Sequence, residues 1–203
     1  MHRLILAALP FLLCTAHATA QRIALGAKAG ALMAHVDAND IGTSPVPGAT
    51  VGLYLPYASG KHTEVQVELL GAYLGSGYQE PDGDEYIVRS LYLQVPVSVK
   101  YFFGKSFNLQ GGLQVGWLLS AQKELAEEMV EVTDEYYSMD WGLNIGVGLD
   151  TRSGWDIALR YYHGMEEILV GDQVLFPRNR TVQFTVGYRF MNFRNINTVR
   201  RRK

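Results

Sequence analysis

The chain has 203 residues, with 18 basic and 20 acidic side chains and a formal net charge of −2 at pH 7. A charge this close to zero argues against a nucleic-acid-binding protein, which would carry a basic surface. The length suits one domain, and past residue 20 no run of 18 or more apolar residues predicts a membrane-spanning helix.

The first twenty residues have the features of a secretory signal peptide. A short basic start precedes the apolar run of residues 4–16, and Ala18-Thr19-Ala20 fits a signal peptidase site, so we expect residues 1–20 to be removed. Leu13 before Cys14 is not the small residue that a lipoprotein signal has at that position. Cleavage would leave no cysteine, and so no disulfide, thiol nucleophile or cysteine-ligated metal.

Eight segments then alternate apolar and polar residues with the period of two that is typical of β-strands. In the last segment, for example, Val182, Phe184 and Val186 share one face, and Gln183 and Thr185 share the other. The predicted strands span residues 23–33, 48–55, 64–73, 90–101, 107–119, 137–150, 155–162 and 181–190.

The connections between these strands alternate in length. Three are tight turns, at residues 57–60, 103–106 and 151–154, whereas four are longer and polar, at residues 36–46, 79–86, 122–135 and 165–180. Outer-membrane barrels are built with short turns on the periplasmic side and long loops outside. The pattern therefore predicts three periplasmic turns and four external loops.

Two barrels fit such strands: a soluble lipocalin-like barrel with its apolar face inside, and a membrane barrel with its apolar face outside. A polar face rich in Gly and Ser suits the crowded interior of a narrow membrane barrel. Aromatic residues also lie near the ends of the apolar faces, where a membrane interface needs them: Tyr73, Tyr101, Phe107, Trp117, Tyr137, Trp155, Tyr161 and Phe190. We predict an all-β fold, an eight-stranded antiparallel transmembrane β-barrel over residues 21–190, with a basic periplasmic tail over residues 191–203.

Pro96 lies in the middle of the fourth predicted strand. Proline cannot donate a hydrogen bond to a sheet, and it usually marks an edge or a bulge. A closed barrel has no edge, so we expect a local bulge that faces the lumen.

The chain resembles the PorT-like outer-membrane β-barrel proteins of Bacteroidota-type bacteria. The matching stretches are residues 25–30 (LGAKAG), 92–104 (YLQVPVSVKYFFG), 159–164 (LRYYHG) and 178–190 (RNRTVQFTVGYRF), of which residues 92–104 are the most specific. The resemblance implies the outer membrane of a Gram-negative bacterium and an eight-stranded barrel, and it carries over no catalytic residue and no cofactor. One founding member is associated with secretion and maturation of exported proteins, so secretion-system or envelope proteins are expected partners.

Other partners follow from the location. We expect contact with outer-membrane lipid, including lipopolysaccharide, and recognition of the last strand by the barrel-assembly machinery. The basic end, Arg200-Arg201-Arg202-Lys203, is either a solvated terminus or a contact for acidic head groups or a partner.

Nine charged residues fall on the polar faces and are the candidate site. We interpret them as a network of paired charges that fills the lumen, because an eight-stranded barrel leaves room only for side chains and isolated buried charges are costly. We expect Glu64 and Glu68 to neighbour Lys100, and Arg189 to neighbour Lys28; a narrow path for small solutes is the alternative. The nine residues are Lys28, Glu64, Glu68, Lys100, Asp140, Asp150, Asp156, Arg160 and Arg189.

His163 is the candidate residue for an enzyme that modifies lipids of the outer leaflet. It is predicted on the lipid-facing side, near Glu166 and Glu167, where a histidine activates a serine in such enzymes. However, no outward-facing serine is expected beside it, because Tyr137 and Met139 take those positions on the sixth strand. We therefore predict a non-enzymatic barrel and keep the enzyme as an alternative.

Three polar loops offer weaker candidates. His35 with Asp37 and Asp40 has metal-binding side chains, although an ordinary polar loop is the better explanation. The acidic stretches 80–85 and 123–135 are predicted to be solvated surface loops. The alternative role of the stretch 123–135 is to bind a partner or divalent cations that bridge lipopolysaccharide phosphates.

Overall fold

The structure is a computed structural model that describes residues 22–37, 42–58, 62–79, 85–125, 128–166, 168 and 177–194. The predicted signal peptide with Cys14, the candidate ligand Asp40, Glu167, most of the acidic loop at 80–85 and the tail from residue 195 lie outside the described residues. No helix in the described part of the chain is long and apolar enough to cross a membrane.

The described residues form a closed antiparallel barrel. Each strand pairs with its neighbour, β9 pairs with β1, and β4 pairs with β5, so that eight strands complete a ring; β6 lies outside the ring, paired with β5. A short 3-10 turn at Thr133–Glu135 follows β6. The strands are β1 (Arg22–Asp37), β2 (Gly42–Ala58), β3 (Thr63–Gln79), β4 (Glu85–Phe103), β5 (Phe107–Leu125), β6 (Glu128–Glu131), β7 (Met139–Asp150), β8 (Trp155–Gly164) and β9 (Arg178–Arg194).

The alternation predicted from the sequence separates the outside of the barrel from its lumen. In β8, Trp155 is 47% exposed and Leu159 is 49% exposed, whereas Asp156 and Arg160, on the opposite face, are buried. The apolar face therefore points outward and the polar face inward. This confirms the membrane barrel and excludes the lipocalin-like arrangement.

Tight turns join the strands at one end of the barrel, which we call the turn end. Gly104 has a φ of 74° and Gly154 a φ of 100°, in the left-handed region that glycine adopts without steric cost. The turn predicted at residues 57–60 starts two residues later than expected, because β2 continues through Ala58. The opposite end, where the longer connections lie, is the loop end.

Two aromatic rows bound the apolar belt. At the turn end, the rings of Tyr101 and Phe103 lie 5.0 Å apart and those of Trp155 and Tyr188 lie 5.1 Å apart. Trp117 belongs to the row nearer the loop end and lies ten residues after Phe107 in β5. Ten residues of a strand tilted as in outer-membrane barrels rise roughly 26 Å, which matches the usual apolar band.

The strands continue past their predicted limits at the loop end, where the apolar face changes sides. In β3, Tyr73 points outward, but Leu74 and Tyr78 beyond it point into the lumen and are buried. Among the described residues, thirteen buried apolar ones form one core inside this end: Leu32, Ala34, Val36, Ala72, Leu74, Tyr78, Val88, Tyr92, Leu118, Ala121, Val132, Tyr136 and Ile168. The barrel wall therefore rises above the lipid-facing belt around an apolar interior.

Two local predictions were wrong. Pro96 is fully buried in the lumen, but the β3–β4 register is the same on both sides of it, so it interrupts the ladder without a bulge. The last strand does not end at Phe190. A bulge opposite Leu25 and Gly26 turns Phe190 and Met191 both outward, and β9 stays paired with β1 to Arg194.

Candidate functional site

Glu68 on β3 is the centre of an ion-pair network in the middle of the lumen. Its carboxylate accepts two hydrogen bonds from the Arg160 guanidinium, at 2.8 and 2.9 Å, and one from the Lys28 ammonium at 3.1 Å. The side-chain amide of Gln66 donates a fourth, at 2.6 Å. The Glu68 side chain is fully buried, so these bonds replace its lost hydration.

The network continues toward the turn end through alternating charges. Asp156 lies between the ammonium groups of Lys28 and Lys100, and Lys100 also donates to both oxygens of Asp150 at 3.2 Å. Arg189 donates to Asp150 at 3.0 Å. The network ends at Glu64, 3.8 Å from the Arg189 guanidinium, beside a cavity of about 830 Å³ at the turn end.

The predicted neighbours and the observed partners differ in part. Glu64 is the register partner of Lys100, as expected, but Lys100 forms its ion pairs with Asp150 and Asp156 on other strands. Glu68 pairs with Lys28 and Arg160, and not with Lys100. The cause is the narrow lumen, because long side chains cross it and choose partners over a distance that strand adjacency does not reveal.

Asp140, on β7, lies apart from this network. It forms no ion pair with a described residue, and its Oδ2 accepts a hydrogen bond from Asn179 at 2.9 Å. Its position nearer the loop end, opposite Gly116 on β5, separates it from the other eight charged residues. The sequence grouped it with them because it shares their face.

The apolar core closes the loop end of the lumen. Two segments outside the ring contribute to it: Val132 and Tyr136 from the connection after β6, and Ile168 from the connection after β8. Backbone hydrogen bonds hold these segments together, from Tyr137 N to Ile168 O at 2.8 Å and from Ile168 N to Pro177 O at 3.0 Å. Burial raises the pKa of Tyr136 to about 12, so its hydroxyl stays neutral in this core.

Sequence reasoning missed this core because its residues were assigned to polar loops or to strand ends. A signal was present: apolar residues continue on alternate positions after the predicted strand ends, as in Ala34 and Val36, or in Leu74 and Tyr78 with Ser76 between them. Their phase is opposite to that of the belt, which is why they did not extend the predicted strands.

His163 lies on the outer surface of β8, exposed toward the lipid. Its register partners are Leu143 on β7 and Arg180 on β9, so the sixth predicted strand presents Leu143 there, and not Tyr137 or Met139. A groove of about 460 Å³ beside His163 is lined mostly by apolar side chains. Neither register partner is a serine.

The structure describes part of the loops in which metal or partner sites were predicted. Asp37 accepts a hydrogen bond from Arg180 at 3.2 Å, which is a bond between protein groups rather than a metal contact. Among the described residues, no group of three or more His, Cys, Asp or Glu side chains is placed to hold a metal ion. In the acidic third loop, Glu124 forms an exposed ion pair with Arg89.

A closed ring of eight strands, an outward apolar belt with two aromatic rows and a lumen filled by charged and apolar side chains define an outer-membrane β-barrel protein. By the general architecture of such barrels, the turn end faces the periplasm. A family model for the outer membrane protein beta-barrel domain matches residues 16–170, and the chain belongs to this family. The protein is located in the outer membrane.

Solved outer-membrane barrels share the fold. Neisserial surface protein A aligns with a TM-score of 0.54 and 11% identity over 82% of this chain and 97% of its own. Ail, the attachment invasion locus protein of Yersinia pestis, aligns with a TM-score of 0.50 and 12% identity over 85% and 100%. No curated protein matches the sequence.

Proposed function

We propose that the protein is a non-enzymatic outer-membrane barrel that acts through its external surfaces, in envelope structure or protein export. One observation carries the proposal: the lumen is occupied along its length. Ion pairs fill the half toward the turn end, and apolar side chains fill the half toward the loop end. Because two different sets of side chains fill the lumen one after the other, we do not expect solutes to pass through it.

Conduction would have to overcome both fillings. An ion entering from the turn end meets a network in which each charge already has a partner of opposite sign. Beyond it lies an apolar constriction, and such constrictions exclude water and ions. The charge pairs therefore stabilise the barrel in this proposal, and the exposed surface carries the function.

The loop end offers a surface of the right kind. The edge strand β6 pairs on one side with β5, and Met129 and Val130 on it are 66% and 51% exposed. An exposed strand edge with apolar side chains is a typical place for strand addition by a partner protein. The resemblance to PorT-like proteins favours a partner from the export machinery or the envelope.

Conductance in planar lipid bilayers tests the proposal. We expect the refolded protein to give no stable conductance steps, whereas a refolded general porin in the same bilayers should give them and so show that the assay detects an open lumen. Stable steps from the unmodified protein would overturn the closed barrel and favour the small-solute channel.

The enzyme alternative has its own test. Lipid A should have the same composition in strains with the native protein, with His163→Ala and with the gene deleted. A lipid A species that disappears in both altered strains would contradict the non-enzymatic proposal.

A further inference from the structure

The charges in the lumen balance with one exception. In the described residues, four cations and four carboxylates form one connected network: Lys28, Lys100, Arg160 and Arg189 with Glu64, Glu68, Asp150 and Asp156. Asp140 is the ninth charged residue, and it lies outside the network. Among these nine residues the carboxylates therefore outnumber the cations by one, and the buried Arg180 nearby pairs with Asp37 instead.

Asp140 is buried, and half of its carboxylate has no partner. The residue is 5% exposed, and Asn179 donates to its Oδ2 at 2.9 Å. The hydroxyl of Tyr162 on β8 and the backbone N–H of Trp141 also reach the carboxylate. Oδ1 is buried without a hydrogen-bond partner. An ionised carboxylate in this position loses hydration that the protein does not fully replace.

The surroundings of Oδ1 are small and rich in oxygen. Gly164 lies beside it, and a methyl group added there would stand 3.4 Å from Oδ1. The hydroxyl of Tyr162 faces the same carboxylate, and Tyr92 is hydrogen-bonded to Asn179 next to it. Carboxylate, hydroxyl and amide oxygens are the ligands that hard metal cations prefer.

A small cavity lies toward the loop end, beside Asn179 and Tyr92. It measures about 20 Å³ and is lined by Tyr92, Asn179, Ser90 and Ser76 among others, so it shares two residues with the surroundings of Asp140. A volume of this size holds one water molecule or one small ion.

We infer that Asp140 is the binding site for a single monovalent metal cation, of the size of Na⁺ or K⁺. One uncompensated carboxylate calls for one positive charge, and a divalent ion would leave the site with an excess. The bound ion contacts groups from β7 and β8, and it is linked through Asn179 to β9. It therefore stabilises the loop half of the barrel, where the ion-pair network does not reach.

The test compares unfolding in different salts. The refolded protein in detergent is heated in NaCl, KCl or choline chloride at equal ionic strength and constant pH, and the folded fraction is read from the unboiled gel band. At a concentration 100 times the dissociation constant, binding raises the ratio of folded to unfolded protein about 100-fold. We expect this increase in NaCl or KCl relative to choline chloride, because choline is too large for the site. Both the native chain and the exposed control Asp134→Asn should show it. Asp140→Asn should lose it.

Other outcomes overturn the inference. Equal stability of the native chain in all three salts, or an unchanged salt response in Asp140→Asn, excludes a cation at Asp140. The native chain could instead show no salt effect but become more stable on acidification, while Asp140→Asn does not. That result would mean that a proton, and not a metal cation, neutralises Asp140. If Asp140→Asn fails to fold, crystals of the native protein soaked in rubidium chloride decide: anomalous density at Oδ1 supports the site, and its absence refutes it.

Discussion

Replacing Glu68 with glutamine should destabilise the barrel more than any other conservative change in the lumen. Glu68→Gln keeps the size of the side chain but removes the charge that faces Arg160 and Lys28. Two charge-assisted bonds from Arg160, each worth about 1.5–3 kcal/mol, lose their acceptor charge. Their sum agrees with the cost of about 3–5 kcal/mol for breaking a buried ion pair. Because the amide oxygen still accepts one bond, we expect about 3 kcal/mol, a factor of roughly 100 in the folding equilibrium.

Glu64→Gln is the matched control. It is the same substitution on the same strand and the same face, but Glu64 has one ion pair, at 3.8 Å, with the partly exposed Arg189. We expect it to cost about 1 kcal/mol or less. Reversible urea unfolding in lipid vesicles, followed by tryptophan fluorescence, measures both variants. If Glu68→Gln costs no more than Glu64→Gln, the network does not stabilise the barrel in the way described.

Three further changes have defined outcomes. Lys100→Met removes the nearest cation of Asp156 and one of the two cations of Asp150, so its destabilisation should shrink as the pH falls and the carboxylates become protonated; an unfolding midpoint shift that does not change with pH would contradict this. Gly112→Ala places a methyl group against a backbone carbonyl of β4 and should abolish the heat-modifiable gel band, which Gly111→Ala, with 3.5 Å of clearance, should keep. Leu32→Ala in the apolar core should cost about 2–5 kcal/mol in urea unfolding, whereas Met33→Ala on the outer face should cost clearly less.

The alternation of residues was enough to predict the barrel, because one simple rule holds within the belt. Lipid outside requires apolar side chains at every second position, and a crowded lumen accepts polar or small ones between them. Leu109 and Leu113 in β5 point outward and Gln110 and Gln114 inward, as predicted. Eight repetitions of this rule specify the strand number, and the turn lengths specify the orientation.

The same rule fails at the loop end, where the solvent outside changes from lipid to water. Above the belt the outer face becomes polar, as at His35 and Asp37, and the inner face becomes apolar, as at Ala34 and Val36. The predicted strands stopped where the phase reversed. To recognise the reversal as a continuing strand, one must know that the sheet extends beyond the membrane. The local sequence pattern does not predict that extension.

The pairing of the lumen charges could not be predicted from the sequence, for a different reason. Lys28 and Glu68 are separated by 40 positions and Arg160 and Glu68 by 92, and they meet by crossing the lumen rather than along a ladder. Strand adjacency predicts neighbouring backbones. It does not predict which of several long, flexible side chains reaches a given carboxylate.

The two halves of the lumen together favour a closed barrel over a channel. A water-filled path needs polar groups that remain available to ions along its whole length, whereas here the charged groups of the turn half bind one another. The loop half turns its apolar face inward at the level where an open channel would widen into water. Asp140 lies between the two halves, where no described residue of either filling forms an ion pair with it. A single ion bound there would complete the sealed interior, which is a structural role and not the role of an ion in transit.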